Sequence, residues 1–115
     1  MVGAGAPVTL KDRRDFVRVQ STGRRFRDKH LLLMVAPGNA GTSRVGITVS
    51  RKVGKAVVRN RVRRRLREIL RGTSVQLVTG CDHVVVAFPQ AAGASFVTLR
   101  EELTCLLSYA GSPSH

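Results

Sequence analysis

The chain has 115 residues, enough for one domain with a single hydrophobic core but not for two. Hydrophobic residues make up 43% of it, which excludes a wholly disordered chain, and no apolar run approaches the ~18 residues of a membrane span. A formal charge of +13 indicates a polyanionic partner, with nucleic acid the leading candidate and an anionic membrane surface the next.

The chain begins with small residues and a helix signal. Composition divides the sequence into a flexible lead-in (1–8), one domain (9–110) and a loose tail (111–115). Thr9 and Asp12 have the spacing of a capping box, so a short helix is predicted over residues 10–20. The first residues lack the basic start and apolar middle of a signal peptide, which indicates a cytoplasmic protein.

Three strands are predicted next. Residues 24–29 are charged and are expected to form a short edge strand. Residues 30–36 are a continuous apolar run, typical of a strand covered on both faces. Residues 44–50 alternate, and this strand is expected to pair with the apolar run as an antiparallel hairpin. One face of the alternating strand consists of Gly46, Thr48 and Ser50. Such a row leaves room for a ligand, although an ordinary solvent-exposed face explains it equally well.

Half of the chain's 20 basic residues lie between Arg51 and Arg71, with Glu68 the only acid among them. This segment predicts an amphipathic helix that begins near Lys55 and ends at Gly72. The apolar residues that fall in one arc are Val58, Val62, Leu66, Ile69 and Leu70. The opposite side is rich in arginine, whose planar donors suit phosphate oxygens, so the helix predicts a nucleic-acid-binding surface.

The last third of the chain supplies another strand and helix. Residues 82–88 are a second continuous apolar run, and Ser95 can cap a final helix. The predicted core stripe of that helix is Phe96, Leu99, Leu103, Leu106, Leu107 and Ala110. This element order predicts a two-layer α/β sandwich, with helices packed on one side of a small mixed sheet. A βαβ crossover through the basic helix would make strands 44–50 and 82–88 parallel.

No group of residues has the pattern of a catalytic or metal site. The one close pair of carboxylates in the basic part of the chain lies at the start of a helix, where the helix dipole explains it. His30 and His83 stand in apolar runs and are interpreted as core or strand-end residues. Cys81 and Cys105 have neither a zinc nor a disulfide spacing and are expected to be free, buried thiols. We therefore predict no catalytic residue, no metal and no cofactor bound by the protein itself, and no protein partner is evident.

Two adjacent segments form a specific pattern, RVGITVSRKVG at 44–54 and KAVVRNRVRRRLRE at 55–68. Together they resemble the signature of the bacterial ribonuclease P protein component. The similarity extends to KDRRDF at 11–16, to VVVAFP at 84–89 and to the closing helix. Gln20 departs from the pattern, because the family commonly has a second aromatic residue there.

The resemblance implies both a fold and a role. The fold would be a ribosomal protein S5 domain 2-like sandwich with a left-handed β–α–β crossover. The role would be that of an accessory subunit, in a tRNA-processing endoribonuclease whose catalytic RNA uses Mg²⁺ to remove the 5′ leader of precursor tRNA. By similarity, the residues that bind the catalytic RNA are Lys55, Arg59, Asn60, Arg61, Arg63, Arg64 and Arg67. The implied leader-binding cleft comprises Phe16, Thr48, Ser50, Arg51 and Lys52.

The amino-acid sequence leaves two other functions open. A structural ribosomal or general RNA-binding protein would have an equally basic helix, but it would show no preference for leader-bearing precursor tRNA. A DNA-binding regulator would need to read duplex sequence, and the chain has no obvious helix-turn-helix pair or heptad zipper to do so.

Overall fold

The computed structural model describes residues 8–38, 42–72 and 77–111 of the chain. The strands in these ranges are β1 (Val8–Thr9), β2 (Arg24–Arg27), β3 (Leu31–Pro37), β4 (Arg44–Val49) and β5 (Cys81–Ala87). The helices are α1 (Arg13–Thr22), α2 (Ala56–Gly72) and α3 (Phe96–Gly111). Short 3-10 turns follow β4 and β5, at Arg51–Val53 and Pro89–Gly93.

The five strands form one mixed sheet in the order β1-β4-β5-β3-β2. β4 is parallel to β1 and to β5, whereas β3 is antiparallel to β5 and to β2. The α/β class, the mixed sheet, the edge position of β2 and the parallel pairing across α2 are confirmed. The predicted hairpin between residues 30–36 and 44–50 is wrong, because β5 lies between these two strands. Both continuous apolar runs, β3 and β5, occupy interior positions where each is paired on both sides.

Apolar clusters cover both faces of the sheet. On one face, α2 and α3 pack against residues such as Leu33 and Val85. On the other face, Val19 of α1 packs against Met34 and Val84. The expectation that the helices pack on one side of the sheet is therefore wrong for α1. The reason is the composition of β3 and β5, which are apolar at successive positions and so expose apolar side chains on both faces.

The first helix begins later than the sequence predicts. Asp12, rather than Thr9, is its N-cap, and one Asp12 carboxylate oxygen accepts the backbone N–H of Arg14 at 3.1 Å. Thr9 belongs to β1, and the next residue, Leu10, donates its N–H to the carbonyl oxygen of Val45 at 2.8 Å. Pairing with β4 thus keeps the chain extended where a capping box was expected. The rest of the predicted lead-in, residues 1–7, lies outside the described residues.

The other helices match their predictions closely. Ser95 Oγ accepts the backbone N–H of Thr98 at 3.1 Å, which confirms the predicted cap of α3. Its core stripe is confirmed as well, with Phe96 partly buried and the other members fully buried. Parts of the predicted connectors, 39–41 and 73–76, and the tail residues 112–115 are not among the described residues. Within the described ranges, no helix combines the length and apolarity needed to cross a membrane.

The two cysteines are free, as predicted, but only one is shielded from solvent. Cys81 is partly buried at the start of β5. Cys105 is exposed, because it lies on the outward side of α3, one turn before the exposed Tyr109. The expectation that both thiols are buried is therefore wrong for Cys105.

Candidate nucleic-acid interface

The orientation of α2 is fixed by its apolar stripe. Val62, Leu66, Ile69 and Leu70 are buried in the core that α2 shares with α3 and the sheet. A helix turns by 100° per residue, so Arg64, Arg67 and Arg71 fall opposite this stripe and are exposed. The other arginines of α2 lie on the flanks of the stripe and are partly buried.

Three of these arginines support the fold through main-chain carbonyl groups. Arg65 donates to the carbonyl oxygen of Ala94 at 2.9 Å. Arg61 donates to that of Ala92 at the longer distance of 3.4 Å. Arg59 donates through Nε to a carbonyl oxygen just before the helix, at 3.1 Å. The first two bonds tie α2 to the segment that follows β5, so these guanidinium groups contribute to packing.

A second group is made up of one residue just before α2 and four residues within it, all exposed or partly exposed, and we call it the arginine face. It consists of Lys55, Asn60, Arg63, Arg64 and Arg67. Arg63 donates to Asn60 Oδ1 at 3.1 Å. Arg64 and Arg67 are exposed and have no hydrogen-bond or ion-pair partner in the described part of the chain. Their donors can bind phosphate oxygens without loss of an existing bond.

On the opposite side of the sheet, Phe16 of α1 lies directly on β4. A Cβ atom added to Gly46 would be only 2.3 Å from Phe16 Cζ, so the ring occupies the space that any other side chain would need. Thr48 is two residues further along the same face and is partly exposed. The small face of β4 is therefore covered by the ring at Gly46 and open at Thr48.

A buried ion-pair network holds α1 in this position. Asp82, at the start of β5, is fully buried and accepts two hydrogen bonds from Arg44, at 2.8 and 2.7 Å. Arg18 of α1 pairs with the same carboxylate and also donates to the carbonyl oxygen of Pro37 at 2.7 Å. Arg44 lies 3.5 Å from Asp15 of α1. Hydrogen bonds from Arg44 lower the pKa of Asp82, despite the opposing effect of burial.

Beyond α1, a row of side chains crosses the exposed part of the sheet. The strand register places Arg27, Leu32, Val86 and Thr48 side by side on four neighbouring strands. Leu32, Val86 and Thr48 are partly exposed. At the β2 end, the Arg27 guanidinium lies 4.8 Å from the centre of the Phe88 ring. We use the name sheet cleft for Phe16, Leu32, Thr48, Val86 and Phe88.

Sequence reasoning missed Arg27, Leu32, Val86 and Phe88. The length of α1 is the feature that could have identified them. Its 10 residues span about 15 Å, whereas strands of seven residues span roughly 23 Å. A helix of that length cannot cover the whole face, so part of an apolar row must stay open.

The remaining predicted cleft residues follow β4. Ser50, Arg51 and Lys52 are exposed where the strand passes into the 3-10 turn before α2. The chain therefore runs directly from the sheet cleft, through two cations, to the arginine face.

His83 is buried and His30 is partly buried, and both have structural partners, which confirms their interpretation as core and strand-end residues. His83 accepts the backbone N–H of Val78 at Nε2, at 3.0 Å, and its Nδ1 lies 3.1 Å from the carbonyl oxygen of Arg44. Burial lowers the pKa of His83. His30 Nδ1 lies 2.8 Å from a Glu102 carboxylate oxygen, whose partner oxygen accepts the N–H groups that open β3.

Comparisons with known proteins agree on one family. The model of the family described as Ribonuclease P matches residues 6–111. The chain is 42% identical over 102 residues to the ribonuclease P protein component of Chloroflexus aurantiacus, covering 88% of this chain and 76% of the relative. It is 40% identical over 115 residues to that of Synechocystis, covering 96% and 93%. The fold is similar to the solved RNase P protein of Thermotoga maritima, with a TM-score of 0.80, 32% identity and coverage of 88% and 96%.

Proposed function

The chain belongs to the ribonuclease P protein family, and on this premise we propose that it is the accessory subunit of the tRNA-maturing holoenzyme. It binds the catalytic RNA through the arginine face and holds the 5′ leader of precursor tRNA in the sheet cleft. The observation that carries the proposal is the direct passage from the cleft to the arginine face through Arg51 and Lys52. None of the matches reported above favours a structural ribosomal protein.

The arginine face suits an RNA backbone rather than base edges. Guanidinium groups bind phosphates bidentately, and the deep, narrow major groove of A-form RNA leaves bases poorly accessible to a helix. Each phosphate that is neutralised adds about 0.7 to 0.9 to the salt slope of binding. Arg64 and Arg67 should contribute most, because they have no competing partners among the described residues.

The sheet cleft suits a single strand with unstacked bases. Leu32 and Val86 provide an apolar floor, and the rings of Phe16 and Phe88 stand near it. Stacking on aromatic rings tolerates any base, as binding to leaders of varied sequence requires. The family commonly has a second aromatic residue at the position of Gln20, and in this chain Phe88 supplies a second ring instead.

We propose that the RNA carries out hydrolysis with Mg²⁺ and that this chain positions its substrate. Residues 8–38, 42–72 and 77–111 bring together no group of three or more His, Cys, Asp or Glu side chains that could hold a metal ion. The buried Asp82 carboxylate is already held by two arginines. The free thiols of Cys81 and Cys105 suit a reducing cytoplasm, where we place the protein.

Reconstitution tests the proposal. Bacterial ribonuclease P RNA is assayed with precursor tRNA at low Mg²⁺, with and without the purified chain. We expect faster cleavage with the protein, and the gain should be larger for precursors with a leader of several nucleotides than for those with a single nucleotide. Absence of any gain, with RNA that is active at high Mg²⁺, would overturn the proposal.

Phe16→Ala tests the cleft itself. In the holoenzyme we expect this substitution to weaken binding of precursor tRNA by roughly tenfold, within the ~1–3 kcal/mol of one base–aromatic stack, while binding of mature tRNA is unchanged. Val17→Ala is the matched control, since Val17 is half exposed on the same helix and lies outside the sheet cleft. Equal losses for precursor and mature tRNA would instead indicate a folding defect.

A further inference from the structure

A cavity of about 280 Å³ lies at the edge of the sheet, between α1 and α2. It exists because β1 has two residues and pairs only with the first two residues of β4. Beyond that point the edge of β4 has no neighbouring strand among the described residues. Side chains from both faces of the sheet meet around the open edge and leave a space between them.

The walls of this edge pocket are apolar. Leu10 and Phe16 contribute from the α1 face, and Ile47 and Leu70 from the α2 face. Leu10 and Leu70 are each 2% exposed, so the walls are fixed by the two hydrophobic cores rather than by mobile surface groups. The volume lies just below the roughly 300–1,000 Å³ range of small-molecule sites, which suits one planar ring system and not a stack of several.

The rim of the pocket is cationic. Arg63, Arg67 and Arg71 line it from α2, and no acidic residue is among the described residues that line it. Arg71 pairs with Glu68 at 3.3 Å, but both side chains are more than half exposed, so this pair is weak. A ligand with an apolar planar body and an attached anion would match both the walls and the rim.

The main chain of β4 adds hydrogen-bonding groups. In a parallel ladder, the N–H and C=O of one residue point to the same side. The carbonyl oxygen of Val45 accepts the N–H of Leu10, so Ile47, two residues later, directs its N–H and C=O to that same side. No strand in the described part of the chain pairs with them there. The edge of a planar base could bond to this donor and acceptor.

We propose that the edge pocket binds one unstacked nucleotide of an RNA, with the base between Phe16 and Ile47 and its phosphate at Arg63 and Arg67. The proposal rests on the proposed RNA-binding function and adds a single-nucleotide site where the sheet cleft and the arginine face adjoin. The nucleotide comes either from the catalytic RNA or from the leader, because the chemistry is the same.

Filling the pocket tests this assignment. Thr9 is exposed and lines the pocket, so Thr9→Phe places a ring in it without a change in charge. Val8→Phe is the matched control, because the preceding residue of the same strand points the other way and does not line the pocket. Affinity is measured for catalytic RNA alone, and then for precursor tRNA with the saturated holoenzyme.

We expect Thr9→Phe to lose about tenfold in affinity in one of the two measurements, as for one lost base stack, while Val8→Phe behaves as the unsubstituted protein. A loss with catalytic RNA alone places the nucleotide in that RNA, and a loss only with precursor tRNA places it in the leader. Equal affinities of the two variants in both measurements would overturn the pocket assignment. Failure of the unsubstituted chain to bind catalytic RNA would instead overturn the proposed function.

A second measurement applies if Thr9→Phe does not fold. The unsubstituted protein is titrated with adenosine 5′-monophosphate and, separately, with ribose 5-phosphate, and the backbone amide of Ile47 is followed by NMR. We expect the nucleotide to shift this resonance and the sugar phosphate to leave it in place. An Ile47 amide that responds to neither compound, or equally to both, rules out a base in the pocket.

Discussion

At the scale of single residues, neighbouring arginines on α2 differ in what they contact. Arg65 donates to the carbonyl oxygen of Ala94, and its guanidinium is partly buried. Arg64 is one position earlier, about 100° around the helix, and is exposed without a partner among the described residues. A helical wheel identifies the arginine-rich side from sequence. It cannot identify which guanidinium reaches the segment after β5, because that segment is brought in by tertiary packing.

This difference predicts that two substitutions of the same type change different quantities, RNA binding in one case and stability in the other. Arg64→Ala should reduce the salt slope of RNA binding by about 0.7 to 0.9 and should not lower the free energy of unfolding, because its side chain has no partner to lose among the described residues. Arg65→Ala should lower the free energy of unfolding by about 1 to 2 kcal/mol, because a part-buried carbonyl loses a charged donor. Titrations at several KCl concentrations and urea unfolding measure the two quantities. If both variants change the salt slope equally and neither changes stability, the assignment of Arg65 to the fold is wrong.

At the scale of elements, one carboxylate connects three parts of the fold. Asp82 of β5 binds Arg18 of α1 and Arg44 of β4. Among the described residues, α1 makes few other hydrogen bonds or ion pairs with the sheet. The position of Phe16 therefore depends on this network as well as on apolar packing. The carboxylate thus links the stability of the core to the shape of the sheet cleft.

The pKa of Asp82, lowered by the hydrogen bonds from Arg44, predicts how stability changes with pH. The unfolded chain takes up this proton more readily than the folded protein. The stabilisation is therefore complete above the ordinary pKa of 3.8 and is lost as pH falls below it, through the lower pKa of the folded state. Asp82→Asn should lower the free energy of unfolding by about 3 kcal/mol at neutral pH, and its difference from the unsubstituted protein should shrink in acid.

Urea unfolding at about pH 7, 5 and 3 measures this dependence. Glu101→Gln is the matched control, because Glu101 is exposed on α3 and its loss also removes one negative charge. A difference between Asp82→Asn and the unsubstituted protein that stays constant over this range would show that the carboxylate acts through shape and not through charge.

Sequence alone predicted elements better than their arrangement. The periodicity of α2 and α3 gave their limits closely, because amphipathic helices carry a local signal. The hairpin of residues 30–36 with 44–50 was wrong because β5, which lies more than 30 residues further along, inserts between them. The spacing of Thr9 and Asp12 predicts a helix cap, but Thr9 pairs with Val45 of β4, a non-local contact that this local spacing cannot reveal. The alternation in β4 identifies its small face from sequence, but it does not identify the ring of Phe16 that covers Gly46, because this contact depends on the side of the sheet that α1 occupies.

At the scale of the whole molecule, the charge of +13 has two opposing consequences. Like charges on the arginine face and on β2 repel one another in the free protein, which reduces its stability. The same charges attract RNA and release its counterions. Added salt screens both interactions, so it should act on folding and on binding with opposite signs.

We therefore expect the melting temperature of the free protein to rise by a few degrees between about 20 and 200 mM KCl, because screening relieves self-repulsion. RNA affinity should fall over the same range, by roughly a thousandfold between 50 and 200 mM if about six phosphates are engaged. KCl is used instead of a sulfate salt, because sulfate also stabilises proteins through exclusion from their surface, and this stabilisation could not be separated from charge screening. A melting temperature that falls with KCl would mean that repulsion is already balanced within the fold, since the screening of exposed ion pairs such as Arg71–Glu68 would then dominate the response. A rise in stability together with a fall in affinity would show that this charge distribution disfavours the free protein and favours its complex with RNA.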